Sequence, residues 1–171
     1  KTNVEDLALF DIEYLFLQIR ARSIGEELEV KVTCEDDMET TVDVKFLVND
    51  IKVSFPKGHT NIIKLTDDIT VEMRYPDLEY FAKVNFTGGE PDPYDLMAKC
   101  IKRVYMGEDD YTPDSVEESK AWVEGLTSQQ FDTIQQFFET MPTLKHVLKV
   151  KNPNTKVVNE VVLEGLSDFF A

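Results

Sequence analysis

Hydrophobic side chains near the start of the chain recur every three or four residues. They are Leu7, Phe10, Tyr14 and Leu17, and the apolar face is widened by Ile12, Leu15, Phe16 and Ile19. This spacing brings apolar side chains to one side of an α-helix and predicts a helix over residues 3–21, capped by Thr2 or Asn3. Because apolar positions cover so much of the circumference, we expect this helix to be buried, or half buried with the other half at an interface.

Apolar and polar residues alternate with a period of two between residues 27 and 75. Leu28, Val30 and Val32 lie between charged or polar neighbours, and similar runs follow at 42–46, 51–55, 63–65 and 69–73. Polar or turn-forming residues separate these runs, with Pro56 and Gly58 the clearest example. The pattern predicts four or five antiparallel strands that share one apolar face.

Helical spacing returns after residue 75. It predicts a short helix at 76–84 and further helices at 92–105, from 114 or 115 to 122, and at 127–141. Asp92 before Pro93 is typical of a helix start, and Thr127 with Gln130 forms a capping box. We interpret the aromatic residues of this region as the core of a helical subdomain and not as a ligand pocket. They are Trp122, Phe131, Phe137 and Phe138.

The last part of the chain alternates again. Apolar residues at 147–150 and 157–163 flank a polar turn at 152–155, which predicts a β-hairpin followed by a terminal helical turn. The predicted fold class is therefore α+β: an N-terminal helix, an antiparallel sheet of four or five strands, a helical subdomain, the C-terminal hairpin and the terminal turn. With the Gly- and Pro-rich loop at 88–93 as a boundary, the predicted divisions are 1–87, 92–142 and 143–171.

Two segments of the chain resemble each other. Residues 30–34 and 148–152 each lead through a polar turn into a return strand. Hairpins look alike by chance, so both a chance likeness and a common ancestry of the two hairpins stay open.

The net charge of the chain limits the classes of molecule that it can bind. The chain has 33 acidic and 18 basic residues, a formal net charge of -15, and this balance argues against binding to nucleic acids or anionic membrane surfaces. We expect protein partners that offer a basic or apolar face, although acidity could also serve solubility alone. No apolar run approaches the roughly 20 residues of a membrane span. Two cysteines favour a reducing compartment.

Candidate chemistry is sparse. His59 and His146 have no nucleophile at a recognisable spacing, and the acidic runs at 35–37 and 108–110 lack the alternating ligands of a calcium loop. The glycine pair at 88–89 lacks the Lys-Ser/Thr of a phosphate-binding loop. We therefore predict no catalytic residues, no cofactor and no enzymatic activity. A metal-dependent hydrolase is kept as a remote alternative.

The N-terminal helix and the end of the chain offer more apolar surface than a small domain obviously needs. We therefore predict that partner proteins bind at Phe10, Tyr14, Phe16, Leu17, Phe169 and Phe170. The alternative is that the helix packs entirely on the sheet and the two terminal phenylalanines cover the last hairpin.

Four segments, in order along essentially the whole chain, resemble baseplate hub proteins of T-even-like phages. They are FDIEYLFLQIRA at 10–21, LTDD with MRYP at 65–76, FDTIQQFFETMP at 131–142 and LEGLSDFF at 163–170. The resemblance implies a structural hub subunit of a contractile tail that contacts other baseplate, hub or tail proteins. It would reside in the virion baseplate, and in the bacterial host cytoplasm during assembly. The alternative is a tail-assembly chaperone that binds a hub or tape-measure protein transiently and is absent from the mature virion.

The resemblance also bears on metal binding and on the chain start. Family members typically carry further sequence ahead of the first helix, and some hold paired cysteines at the two hairpin turns, in the manner of zinc knuckles. Here only Cys34 stands in the first turn, and Asn152-Pro153-Asn154 occupies the second. Because a zinc site needs about four ligands, we predict that no metal is bound.

Overall fold

The structure, a computed structural model, describes residues 3–89 and 91–170. Its helices are α1 Leu9–Ile24, α2 Leu78–Ala82, α3 Pro93–Cys100, α4 Val116–Glu124, α5 Ser128–Thr140 and α6 Gly165–Asp168. Its strands are β1 Glu27–Thr33, β2 Thr41–Leu47, β3 Lys52–Ser54, β4 Ile62–Lys64, β5 Ile69–Met73, β6 Ile101–Met106, β7 Asp109–Tyr111, β8 Thr143–Lys151 and β9 Val158–Glu164. The predicted α+β class is confirmed, including the N-terminal helix, the C-terminal hairpin and the terminal turn.

The first helix begins later than its apolar pattern predicts. Residues Val4–Asp6 form a 3-10 turn without a side-chain cap from Asn3, and α1 starts only at Leu9. The backbone N–H of Leu9 donates to the carbonyl of Pro76 at 2.8 Å, a partner distant in sequence. The other suggested cap, Thr2, lies outside the described residues.

Among the described residues all strand pairs are antiparallel, and they form three sheets with the orders β1-β2, β3-β8-β9 and β4-β5-β6-β7. The prediction of four or five strands between residues 27 and 75 is confirmed, with five present. They do not form the single sheet that was expected, because β1 and β2, β3, and β4 and β5 lie in three different sheets. The helix predicted at 92–105 is wrong in its second half, because α3 ends at Cys100 and residues 101–106 form β6. There Val104 pairs with Val71 of β5 and with Tyr111 of β7, so sheet formation outweighs helical spacing.

The chain divides into two compact units. Unit 1 comprises Lys1–Leu9 and Phe55–Met141, and unit 2 comprises Phe10–Ser54 and Pro142–Ala171. These units differ from the sequence segments 1–87, 92–142 and 143–171, since the chain leaves unit 1 after its first residues and returns to it at Phe55. Pairing of β3 with β8, which are far apart in sequence, closes unit 2.

Unit 1 is built around the sheet β4-β5-β6-β7 and helices α3 to α5. Its buried cluster contains Val71 and Val104 from the strands and Ile134 and Phe137 from α5. The other aromatic residues expected in a helical core are partly buried against this cluster: Trp122, Phe131 and Phe138. Helices and strands thus share one core. The predicted capping box of α5 is present, with Gln130 N–H donating to the Thr127 hydroxyl at 3.3 Å.

Unit 2 contains α1 from Phe10 onward, the hairpins β1-β2 and β8-β9, β3 and α6. Both hairpins bury alternate residues. Phe46 of β2 packs on His146 of β8, with ring centres 4.8 Å apart, and on Phe169 at the end of the chain, at 6.2 Å. These contacts join the two hairpins and the C-terminal segment in one core.

The two hairpin turns of unit 2 have matching backbone geometry. In the first turn the N–H of Met38 donates to the carbonyl of Cys34 at 2.9 Å, and in the second Lys156 donates to Asn152 at 3.0 Å. Met38 and Lys156 both have positive φ, 57° and 69°. The likeness of residues 30–34 and 148–152 therefore extends to the turns that follow them, with Cys34 and Asn152 at equivalent positions.

Candidate partner-binding surface

Helix α1 has one buried side and one exposed side within unit 2. The buried residues are Phe10, Ile12, Glu13, Leu17 and Ala21. The exposed hydrophobic residues are Tyr14, Leu15, Ile19 and Ile24, and Ile19 is the most exposed within the predicted helix, at 57%. The helix is therefore half buried, and large apolar side chains occupy its other half.

The two terminal phenylalanines point to different environments. Phe169 is only 1% exposed and packs in the core, whereas Phe170 is 44% exposed. The Phe170 ring meets Phe16 edge-on at 6.2 Å, and the guanidinium of Arg20 lies 5.3 Å from its centre. This arrangement combines an aromatic pair with a cation–π contact at the surface of the protein.

A buried carboxylate holds the end of the chain against α1. The backbone N–H of Leu166, in α6, donates to Oε1 of Glu13 at 3.4 Å. Burial raises the pKa of the Glu13 carboxyl, and the hydrogen bond from Leu166 partly offsets this increase. Asp168 caps the same turn by accepting from the N–H of Glu164 at 2.8 Å. The direction of the terminal segment is thereby set, with Phe169 inside and Phe170 outside.

Together these residues define what we call the α1–Phe170 surface: Leu15, Phe16, Ile19, Arg20 and Phe170. Leu15 and Ile19 lie one turn apart on α1, as do Phe16 and Arg20. Tyr14 lies on the opposite flank of the helix, since each residue advances by about 100°.

Of the six residues predicted to bind partners, only two lie in this surface. Phe16 and Phe170 are brought together there, while Phe10, Leu17 and Phe169 are buried. Sequence reasoning did not include Leu15, Ile19 or Arg20 among its site residues. The spacing of Leu15 and Ile19 was visible, but nothing in the sequence indicated which flank of the helix is buried.

A group of hydrogen-bonded polar side chains joins the two hairpin turns of unit 2. The amide of Asn152 donates to Oδ1 of Asp36 at 3.0 Å and to Oδ2 of Asp37 at 2.9 Å. Asp36 also accepts from the Asn159 amide at 2.8 Å and from the Thr155 hydroxyl. The hydrogen bonds of Thr155 and Asn152 hold the pKa of Asp36 below its ordinary value, and those of Thr40 and Asn152 do so for Asp37. We call this group the turn clasp.

The described residues contain no group of three or more histidine, cysteine or acidic side chains arranged to hold a metal ion. Cys34 and Cys100 are both free and buried. Burial raises the pKa of both thiols, that of Cys100 to about 12, so both remain protonated at neutral pH. A protonated thiol is a poor nucleophile and a poor metal ligand.

Both histidines make structural contacts: His146 packs on Phe46, and His59 is hydrogen-bonded on both ring nitrogens. The hydroxyl of Thr140 donates to the Gln136 carbonyl at 2.7 Å, so it accepts from Nδ1 of His59, 3.0 Å away. Nε2 of His59 then accepts from the hydroxyl of Tyr75 at 2.9 Å. Burial lowers the pKa of His59 and favours this neutral form.

Two clefts in the described part of unit 1 are candidate ligand sites. The larger, of about 640 Å³, has charged walls, but three of its basic side chains already have partners. Lys99 lies 2.5 Å from Glu79, and Lys102 lies 2.7 Å from Glu72. Arg74 donates to the Ile101 carbonyl. The smaller, of about 420 Å³, is mostly apolar. Its walls include Pro93, Leu96, Phe131 and Phe138. Neither cleft gathers an acid, a base and a nucleophile at hydrogen-bond distance.

The family model described as T4 bacteriophage base plate protein matches residues 1–171. No curated protein and no solved structure matches the chain. Within residues 3–89 and 91–170, none of the helices has the length and apolar character to cross a membrane. The chain belongs to the T4 bacteriophage base plate protein family, and its role is that of a structural protein of the virion baseplate that contacts other phage tail proteins.

Proposed function

We propose that this chain is a structural subunit of the baseplate hub, that it acts through protein–protein contacts, and that it carries no enzymatic activity. The observation that carries the proposal is the α1–Phe170 surface of a chain that belongs to a baseplate family. Phenylalanine, the other aromatic residues and arginine are enriched at protein interfaces relative to the rest of the surface.

The character of this surface determines the kind of partner. Leu15 and Ile19 would pack against apolar side chains, while Arg20 is already engaged with the Phe170 ring. The whole chain carries a net charge of -15, which favours approach by a partner with a positive potential. We therefore infer a contact with an apolar centre and a basic rim.

The environments of the ionisable groups support the absence of enzymatic activity. His59 is engaged by two hydroxyls, and the thiols of Cys34 and Cys100 stay protonated. The carboxylates with lowered pKa, such as Asp36 and Asp95, accept structural hydrogen bonds or pair with lysine. Perturbed groups at a catalytic site would instead converge on a shared cleft.

The test is incorporation of variants into virions. Ile19→Asp places a charge in the centre of the α1–Phe170 surface and should exclude the chain from purified virions. Val116→Asp is the matched control, because Val116 is exposed in the first turn of α4, where a negative charge is well tolerated. Both purified variants should unfold within a few degrees of the wild type, since both positions are exposed.

Other outcomes would contradict the proposal. If the wild-type chain is absent from purified virions but is recovered with tail proteins from infected cells, the chain is the transient assembly chaperone. If Ile19→Asp and Val116→Asp are incorporated equally, the α1–Phe170 surface is not the contact.

A further inference from the structure

We propose that β9 is an open sheet edge in unit 2 that accepts an extended strand from a different protein. In the added strand, basic and β-branched apolar residues alternate along the face that continues the exposed face of β9. This contact is independent of the α1–Phe170 surface. It rests on the proposed function only in that the strand would come from another tail protein. Addition of a strand to an exposed edge is a common mode of peptide recognition.

The hydrogen-bond register identifies the backbone groups that face outward. Asn152 N–H donates to the carbonyl of Val157 at 2.8 Å, so this pair is of the hydrogen-bonded type. Because hydrogen-bonded and non-hydrogen-bonded pairs alternate in antiparallel sheets, Asn159, Val161 and Leu163 bond to β8. The intervening residues of β9 direct their backbone groups to the outer edge.

Independent evidence for this register comes from the end of the strand. The N–H of Glu164 donates to the side chain of Asp168 and not to β8. The outward groups that remain are those of Val158, Glu160 and Val162, which have no hydrogen-bond partner among the described residues. They span five residues, enough for a short added strand.

The other sheet edges carry the features that discourage strand addition. β3, β4 and β7 are each three residues long, and the seven-residue edges β1 and β2 present Lys31 and Lys45 on their exposed faces. Short length and lysine are the usual protection of an edge. β9 has seven residues and neither lysine nor proline.

The exposed face of the hairpin indicates the chemistry of the added strand. Val158 is 62% exposed and Val162 is 42% exposed, with Glu160 between them. On the β8 side, Val162 already faces Val147, and Glu160 faces Lys149. The same cross-strand preferences on the open side call for a β-branched residue beside each valine and a basic residue beside Glu160.

A second copy of this chain is a poor occupant. Antiparallel pairing of β9 with itself can place Glu160 opposite Glu160, or Glu160 opposite Glu164, in two of the registers that keep the exposed faces together. Each copy also carries a net charge of -15, so long-range repulsion opposes self-association in every register. A basic strand from another protein meets neither obstacle.

The test uses the full chain and the capped peptide TVTKTVT, which places valine, lysine and valine on one face in either direction. Hydrogen exchange at the amides of Val158, Glu160 and Val162 should slow by at least about fivefold at millimolar peptide, because they gain backbone partners. The amides of Asn159, Val161 and Leu163 should not change, since they already bond to β8. The peptide TVTETVT should be at least about fivefold less effective.

Two charge reversals provide matched variants. Glu160→Lys and Asp43→Lys each replace an exposed acid that faces a lysine across a hairpin, and each changes the net charge equally. Glu160→Lys should abolish the protection by TVTKTVT, and Asp43→Lys should retain it.

Unchanged exchange at the three outward amides, equal effects of the two peptides, or equal losses in the two variants would overturn the proposal. So would a wild-type dimer in sedimentation whose amides at Val158, Glu160 and Val162 are protected from exchange without any peptide, which would assign the edge to a second copy. Failure here leaves the virion test of Ile19→Asp unaffected.

Discussion

Asn152 connects the two turns of unit 2 through both ends of its carboxamide. Its oxygen accepts from the backbone N–H groups of Asn154, at 2.8 Å, and Thr155, at 3.3 Å, and so shapes its own turn. Its nitrogen donates to Asp36 and Asp37 in the other turn. A buried donor beside two carboxylates stabilises their charged form, which is why the turn clasp tolerates two adjacent acids.

We predict that Asn152→Ala lowers the free energy of unfolding by about 2–3 kcal/mol at pH 7, because hydrogen bonds to charged groups are lost at a buried position. Chemical denaturation measures this change. Asn154→Ala is the control, since Asn154 is exposed and makes one side-chain bond, to Thr40. A loss below about 0.5 kcal/mol for Asn152→Ala would mean that the clasp contributes little.

The clasp also sets a dependence on pH. The folded pKa values of Asp36 and Asp37 lie below their ordinary value of 3.8, so the native state binds fewer protons than the unfolded state as pH falls. Stability from these groups is complete above about pH 5 and is lost on acidification toward their folded pKa. The wild type should therefore lose more stability than Asn152→Ala between about pH 5 and pH 3.

At the scale of elements, α6 places the two phenylalanines that follow it in different environments. The buried Leu166 and Phe169 anchor this short helix, and Phe170 follows at the surface. Deletion of residues 166–171 would therefore remove core as well as surface. Point substitutions at 169 and 170 separate packing from binding.

We predict that Phe169→Ala lowers the free energy of unfolding by about 3–5 kcal/mol, the usual cost for a buried phenylalanine. Phe170→Ala should cost less than about 1 kcal/mol, yet it should weaken partner binding more than Phe169→Ala does in folded protein. Denaturation and binding to baseplate intermediates that lack this chain measure the two effects. Equal stability losses for the two variants would place Phe170 in the core.

At the scale of the whole molecule, the charge of -15 acts on every encounter. We predict that association with such baseplate intermediates slows about tenfold between roughly 0.05 and 0.5 M salt, because salt screens the attraction to a basic face. Dissociation should change little, since apolar contacts hold the complex. An association rate independent of salt would leave the acidity as a solubility feature.

Local physics accounts for what the sequence alone determined. The alternation that predicts β1 to β5 and the final hairpin reflects the opposite orientation of successive side chains in a strand. The caps at Asp92 and Thr127 involve bonds within three residues, so they are visible without any fold. Four sequence segments, which occur in order along essentially the whole chain, were enough to indicate a phage baseplate family.

Only the tertiary structure decided the features that depend on partners distant in sequence. Ile101 to Met106 became β6 because β5 and β7 offered hydrogen bonds on both sides. The separation of Phe169 from Phe170 depends on Phe46 and Glu13, and the turn clasp joins residues more than a hundred positions apart. Burial and long-range pairing are properties of the assembled chain, and periodicity shows only which side chains share a face, not what that face meets.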